Sequence, residues 1–409
     1  GGVRRGAGRR GRDQASQVIL APSRHGSCVF LPSHGIIGRL SKPFAVRSSV
    51  PAAIRTETPD PTMDETLFSP ITFTADDFPA DSADPAEIRD RIADWLATAP
   101  IQAMKGVGRG GIAGRLDQHN RPEYLYGEIT GYWLRWASLY MPDADRMGAA
   151  VDFLAREWSG PEPAATRAGA GDDWRNRAVF SFDLAMMVQG LADAAPIAGQ
   201  ERCATAAAPL LQWLDRLVGD DGTLSSHLPL ATGALPARWS TRPGPYQAKT
   251  AAALLGLPAG WLTPSLTQAA TRTLDLHRAT AADHPELHPR CYALEGAVRG
   301  GAEFDPGLLT DACATDGSLP ESLTPHARSP RADVQAQVLR LLCVHPDALP
   351  RQVDSLVSAL TRHVRTDGAV AFRVGDLFAN VWCAMFAHQA LDWLCQRRAG
   401  AFPCIADVI

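Results

Sequence analysis

One short turn recurs along this chain and narrows what it can fold into. GDDGTL at 219–224, ATDGSL at 314–319 and RTDGAV at 365–370 each follow a helix-like stretch, and GRGGIA at 108–113 is a related form. Asp-Gly suits a tight reversal because glycine takes a positive φ without steric penalty. After each turn comes a polar loop and then another helix-like segment. Repetition at roughly 50 residues is the mark of a helical-hairpin array. Periodicity does not say whether such an array stays open or closes, and six hairpins are compatible with a ring.

Apolar spacing predicts twelve helices from Asp84 onward, at about 85–97, 124–140, 144–158, 180–194, 202–218, 246–257, 266–278, 290–299, 306–314, 332–344, 349–364 and 380–397. The second lies in YLYGEITGYWLRWASLY, where Ile129, Tyr132, Trp133, Trp136, Leu139 and Tyr140 recur at helical spacing. Glu128 falls in its first turn, where free N–H groups and the helix dipole favour an acid.

The two ends of the chain differ in charge. Residues 1–62 hold ten Lys and Arg against three acids, while the remainder holds 30 basic and 41 acidic residues. The first segment reads as a leader or as sequence upstream of a start at Met63, with 63–84 an extension before the helices. The acidic remainder argues against nucleic acid, which needs a basic stripe. No apolar run approaches the ~18 residues of a membrane span, so a soluble, cytoplasmic protein is expected. Eight cysteines are scattered without CxxC or zinc-like spacing, which points to free thiols in a reducing compartment.

Six pieces head the even-numbered helices: YGEITGYWL (126–134), FSFDLAMMVQGL (180–191), YQAKTAAALL (246–255), HPRCYALEGAV (288–298), DVQAQVLRLL (333–342) and NVWCAMFAHQAL (380–391). In this order and spacing they resemble the six-hairpin superfamily of glycoside hydrolases, sugar epimerases and polysaccharide lyases. More closely, they are similar to a bacterial group linked to polysaccharide metabolism. The resemblance implies an all-α (α/α)6 toroid over 85–398, with 399–409 as a tail. Two departures stand out: Gly127 replaces a usual proline, and the ninth helix is short.

In such a ring the even-numbered helices are inner ones, and their starts face one mouth. That gathers candidate catalytic residues Glu128, Asp183, Lys249, His288, Tyr292 and Glu295. Glycosidic hydrolysis needs one protonated and one ionised carboxyl, for which Glu128, Asp183, Glu295 and Asp333 are candidates. Glu128 leads as a general acid because its aromatic company would raise its pKa, while helix capping or pairing with Arg290 or Arg340 is the structural alternative for any of these acids. Lys249 is one of only three lysines against 37 arginines, which suggests an amine whose pKa is meant to move, although a lysine packing its stem would look the same. His288 and Tyr292 lie one helical turn apart and form a second acid–base set. Tyr126, Tyr132, Trp239, Tyr246 and Trp382 offer faces for sugar rings, with Arg242, Asp333, Gln337 and Asn380 as polar contacts.

GVGRGG (106–111) follows a helix rather than a strand, so it is not read as a nucleotide loop. HPELH (284–288) contains proline and is not read as a metal pair, and no cofactor or metal is expected. The reading is an enzyme acting on an oligo- or polysaccharide, by glycoside hydrolysis or by epimerase or lyase chemistry on a uronate. Two alternatives stand beside it: a non-catalytic sugar-binding or scaffold protein of polysaccharide biosynthesis, and a terpenoid cyclase or prenyltransferase-like toroid. The sugar, the linkage and the oligomeric state are not legible.

Overall fold

The computed structural model describes residues 84–324, 329–347, 349 and 351–409; the proposed leader (1–62) and the extension up to residue 83 lie outside them. Six helices form an inner set: α2 (Gly127–Tyr140), α4 (Ser181–Ala198), α6 (Gln247–Leu255), α8 (Leu287–Arg299), α10 (Ala332–Val344) and α12 (Val381–Arg398). Each packs on the next, and α12 packs on α2, so the ring is closed. Six more alternate with them in sequence: α1 (Pro85–Thr98), α3 (Ala144–Trp158), α5 (Gln200–Asp215), α7 (Pro264–Arg278), α9 (Gly307–Thr310) and α11 (Val353–Thr361). Of these, α1 lies on α12, α3 and α5 on α4, α7 on α6 and α8, and α11 on α10. The chain is an (α/α)6 toroid.

Sequence pattern explains the two layers. In α10 every residue from Ala332 to Cys343 is buried, and α12 is buried on all sides over most of its length. Such helices carry no clear polar face because both surfaces are covered. In α3 and α7 only one stripe is buried, and side chains of Asp143 and Thr263 cap their first turns. At the α2–α4 seam a Cβ on Gly190 would collide with the main chain at Gly131, so glycine on both helices permits that close approach.

The Asp-Gly turns lock the outer layer. Asp221, Asp316 and Asp367 each accept from the backbone N–H two residues ahead, at 2.9, 3.0 and 3.1 Å. The following glycines have φ of +74°, +82° and +88°. The turn at Gly317 packs against the main chain of Ser355 on α11, and the turn at Gly368 against Arg91 on α1, which joins the last outer helix to the first.

Short strands were not legible in the helical periodicity. β1 (Ala113–Leu116), β2 (Pro122–Tyr126), β3 (Arg167–Ala168) and β6 (Ala379–Asn380) form a sheet in the order β3-β2-β1-β6, and β4 (Ala178–Phe180) pairs with β5 (His227–Pro229). With five residues at most, none shows a usable alternation. They matter because β2, β4 and β6 run straight into α2, α4 and α12, fixing how those helices begin. The strands β1 and β6 pair antiparallel through Arg115–Asn380 and Leu116–Ala379, tying the first hairpin to the last.

Some helix limits also differ. The fourth continues to Ala198 through Pro196, whereas the ninth is a single turn and the eleventh is shorter than its apolar spacing suggests. The segment after α12 folds back under the ring, with Val408 and Ile409 buried. Arg135 Nε donates to the Val408 carbonyl at 2.8 Å, and Lys249 Nζ and Arg340 Nη1 donate to the Ile409 main-chain oxygen at 2.8 and 3.1 Å.

Candidate active site

The starts of the inner helices open onto a cavity of about 270 Å³. Seven of the residues singled out in the sequence line it: Tyr126, Glu128, Asp183, Trp239, His288, Tyr292 and Trp382.

One wall comes from α2 and α4. Tyr126 is the last residue of β2 and Glu128 the second of α2, so the strand-to-helix junction sets both side chains. Asp183 occupies the third position of α4, brought close by the glycine seam. The Tyr126 hydroxyl donates to Asp183 Oδ2 at 3.1 Å, and Glu128 lines the same wall. A hydroxyl carries a single proton, and here it is given to Asp183.

Burial raises the pKa of Glu128, against the Tyr126 hydrogen bond and the charge of Arg167. Asp183 is pushed well above the usual aspartate range, first by burial and then by the neighbouring Glu128 charge. The pair therefore holds one proton more readily than two free carboxylates would.

The second wall centres on His288 in the first turn of α8. Its Nδ1 lies 2.7 Å from Gln337 Oε1 and 3.3 Å from Asp333 Oδ2, both on α10. Two oxygen acceptors at Nδ1 require the proton there, which leaves Nε2 with a free lone pair. Burial lowers the His288 pKa to about 4 despite the Asp333 charge, so the ring is neutral near pH 7. Burial alone would raise Asp333, but Arg331 overrides it and holds the carboxyl at about 2. Arg331 grips Asp333 with Nε and Nη2 at 3.0 and 2.5 Å and reaches Glu321 at 3.0 Å.

Aromatic rings complete the lining. Trp239 packs edge-on against Tyr246 with centroids 4.8 Å apart, and Phe182 and His288 lie 4.7 and 4.4 Å from Tyr292. Tyr246 stands behind Trp239, its hydroxyl donating to the Arg242 carbonyl at 3.3 Å. Tyr132 lies deeper, with its hydroxyl 3.3 Å from that of Tyr292.

Other expected residues stand outside the lining. Lys249 Nζ is 2.8 Å from Glu295 Oε2 and 4.6 Å from the Tyr292 ring centroid, beneath the floor. Burial lowers its pKa to about 8, against the Glu295 charge. Glu295 also pairs with Arg340 at 2.6 Å, so it stands between two cations. Asn380 caps α12 by accepting from Cys383 N–H at 3.0 Å. Asp333 and Gln337 reach His288 Nδ1 rather than the cavity, and Arg242 does not line it either.

Helix-start reasoning missed much of the lining. Arg167, Trp174, Arg175, Arg238, Glu286, Glu321 and Phe372 come from the linkers ahead of the inner helices, and Arg331 immediately precedes α10. The one signal available was the density of Arg and Trp in DDWRNR and ARWSTR. Among the described residues no group of three His, Cys, Asp or Glu side chains is gathered for a metal ion.

No family model and no curated protein matches the sequence. Solved structures match the fold. A D-mannose isomerase superposes with a TM-score of 0.59 at 11% identity, covering 78% of this chain and all of the other. A cellobiose 2-epimerase from Bacillus thermoamylovorans gives 0.57 at 11%, covering 76% and 99%. An alpha-amylase from Clostridium perfringens gives 0.51 at 9%, covering 75% and 97%. At these identities the likeness is one of fold, that of an (α/α)6 toroid. Within it the mouth of the toroid holds titratable groups on two facing walls, as the geometry above describes.

Proposed function

We propose that this six-hairpin protein is a carbohydrate-active enzyme that breaks a glycosidic bond by acid–base chemistry. The observation that carries this is the Glu128–Tyr126–Asp183 arrangement on the wall of an aromatic-lined cavity. Hydrolysis needs one carboxyl that keeps its proton at working pH and one that is ionised. Asp183, with the stronger elevation, holds the proton for the leaving oxygen, and Glu128 is the ionised partner. Asp183 gives its proton to the departing oxygen, and the Tyr126 hydroxyl orients that carboxyl. Trp239, Tyr292 and Trp382 supply faces for sugar rings.

A second reading rests on His288. A neutral imidazole with Nδ1 held by Gln337 and Asp333 can take a proton from a sugar carbon, with a protonated carboxyl opposite as the acid. The epimerase and isomerase among the solved structures are consistent with it. A terpenoid enzyme would call for an apolar cavity, and this one carries four arginines and four acids.

The deciding experiment incubates the protein with neutral and acidic oligosaccharides in D₂O and follows products by NMR. Glycosidase action releases a shorter reducing sugar without deuterium on carbon, whereas the His288 chemistry exchanges a C–H for deuterium. Glu128→Gln is expected to lower turnover by about 10³-fold or more while the fold melts at the wild-type temperature or above. Full activity in that variant would overturn the carboxyl-pair assignment. Binding of sugars by the wild type without any turnover would favour a silent sugar-binding protein.

A further inference from the structure

The cavity is electrically lopsided, and its unbalanced cations lie in one sector. Arg331 is spent on Asp333 and Glu321, and Glu321 also takes Arg373 at 2.9 Å. Those charges cancel among themselves on the α8–α10 side. Across the cavity, Arg167 and Arg175 share one aspartate, Asp173, at 3.1 and 3.3 Å, and Glu128 supplies the one further negative charge facing them. Arg238 lines the same cavity and makes no ion pair among the described residues. Its linker is tied to the Arg175 segment, because Leu230 N–H donates to the Arg177 carbonyl at 2.9 Å and Trp239 packs 6.1 Å from Phe182. Two tryptophans flank these cations: Trp174 lies 4.3 Å beneath the Arg175 guanidinium, and Trp239 immediately follows Arg238.

We infer that the substrate carries an anionic group, a carboxylate or a sulfate on a sugar ring, seated between Arg175 and Arg238. This rests on the sugar-directed reading above and adds the class of sugar. A planar guanidinium recognises either oxyanion through paired N–H donors. Trp174 and Trp239 hold the apolar ring face, and the surplus of positive charge lies on the side where the anion arrives. Glu286 lies at the start of α8, in the sector of the balanced charges. An anionic sugar is therefore drawn to one end and turned so that its linkage faces Glu128 and Asp183.

The test is calorimetric binding of matched oligosaccharides to the full chain carrying Glu128→Gln, so that turnover does not intervene. Three ligands of equal length are compared: neutral galactose, galacturonate and 6-sulfated galactose oligomers. The expected result is binding of one or both anionic series at least about tenfold tighter than the neutral one, weakening as salt rises. Arg175→Gln with Arg238→Gln should remove that preference and leave neutral binding within about twofold. Galacturonate winning identifies a carboxylate, and the sulfated series winning identifies a sulfate. Equal binding of all three overturns the anionic seat while keeping the sugar reading. Failure of all three to bind overturns both. A preference that persists in the double variant, with its melting temperature unchanged, also overturns the assignment to these two arginines.

Discussion

Replacing Asp183 by Asn should make the protein more stable at neutral pH, and the gain should grow with pH. Asp183 has a folded-state pKa well above the ordinary value of 3.8, because burial and Glu128 both penalise its charge. A group with a raised folded pKa binds more protons in the folded state than in the unfolded one. Its contribution is therefore fully present below about pH 4 and is lost as pH rises toward the elevated value. Across that window wild type loses about 1.4 kcal/mol per pH unit, less whatever cavity water screens. An unfolding entropy of about 2.1 cal/mol/K per residue, over a domain of this size, turns that into roughly 2 °C per pH unit. Asparagine cannot ionise, and its side-chain oxygen still accepts from Tyr126. The assay is differential scanning calorimetry of wild type and Asp183→Asn at steps from pH 4 to pH 8. The curves should meet near pH 4 and separate above it, the variant melting higher. Parallel curves would refute the elevated pKa and with it the proton-sharing pair. A variant that melts lower at every pH would show that the carboxyl is structural.

The other expectations are local. His288 should keep its proton on Nδ1 and stay neutral from pH 8 down to about pH 5, which ¹⁵N imidazole shifts would report, because its pKa is lowered to about 4. As pH falls below the ordinary histidine value of 6.5 this depressed pKa costs stability, so substituting His288 should flatten the acid limb of the melting curve. Gly317→Ala should destabilise by about 2–4 kcal/mol, since φ is +82° and the new methyl would meet the Ser355 carbonyl. Gly375→Ala is the control: φ is +86° with nothing within 4 Å, so only the backbone strain of about 1 kcal/mol should appear in calorimetry.

How much of this was readable in advance can be judged residue by residue. Helical periodicity is a local property of side-chain spacing, and it located the inner helices and the turns at Asp221, Asp316 and Asp367 from sequence alone. It also marked Glu128, Asp183 and His288, because each sits at a helix start, a position written into the order of residues. What it lacked was distance across the ring. That Tyr126 would hold Asp183 rather than lie flat under a sugar depends on how closely α2 approaches α4, which the Gly131–Gly190 contact sets. That Lys249 and Glu295 would face each other beneath the floor depends on the pitch of α6 and α8 and on Arg340 arriving from α10. The arginines of the linkers were invisible for the same reason: irregular chain has no period, and only packing against strands of two to five residues brings Arg175 and Arg238 into one hollow. The chain by itself determined which segments are helical and what chemistry each carries at its head; closure of the ring alone decided which of those groups meet, since meeting is a matter of contacts between residues up to 273 positions apart, and no local rule encodes them.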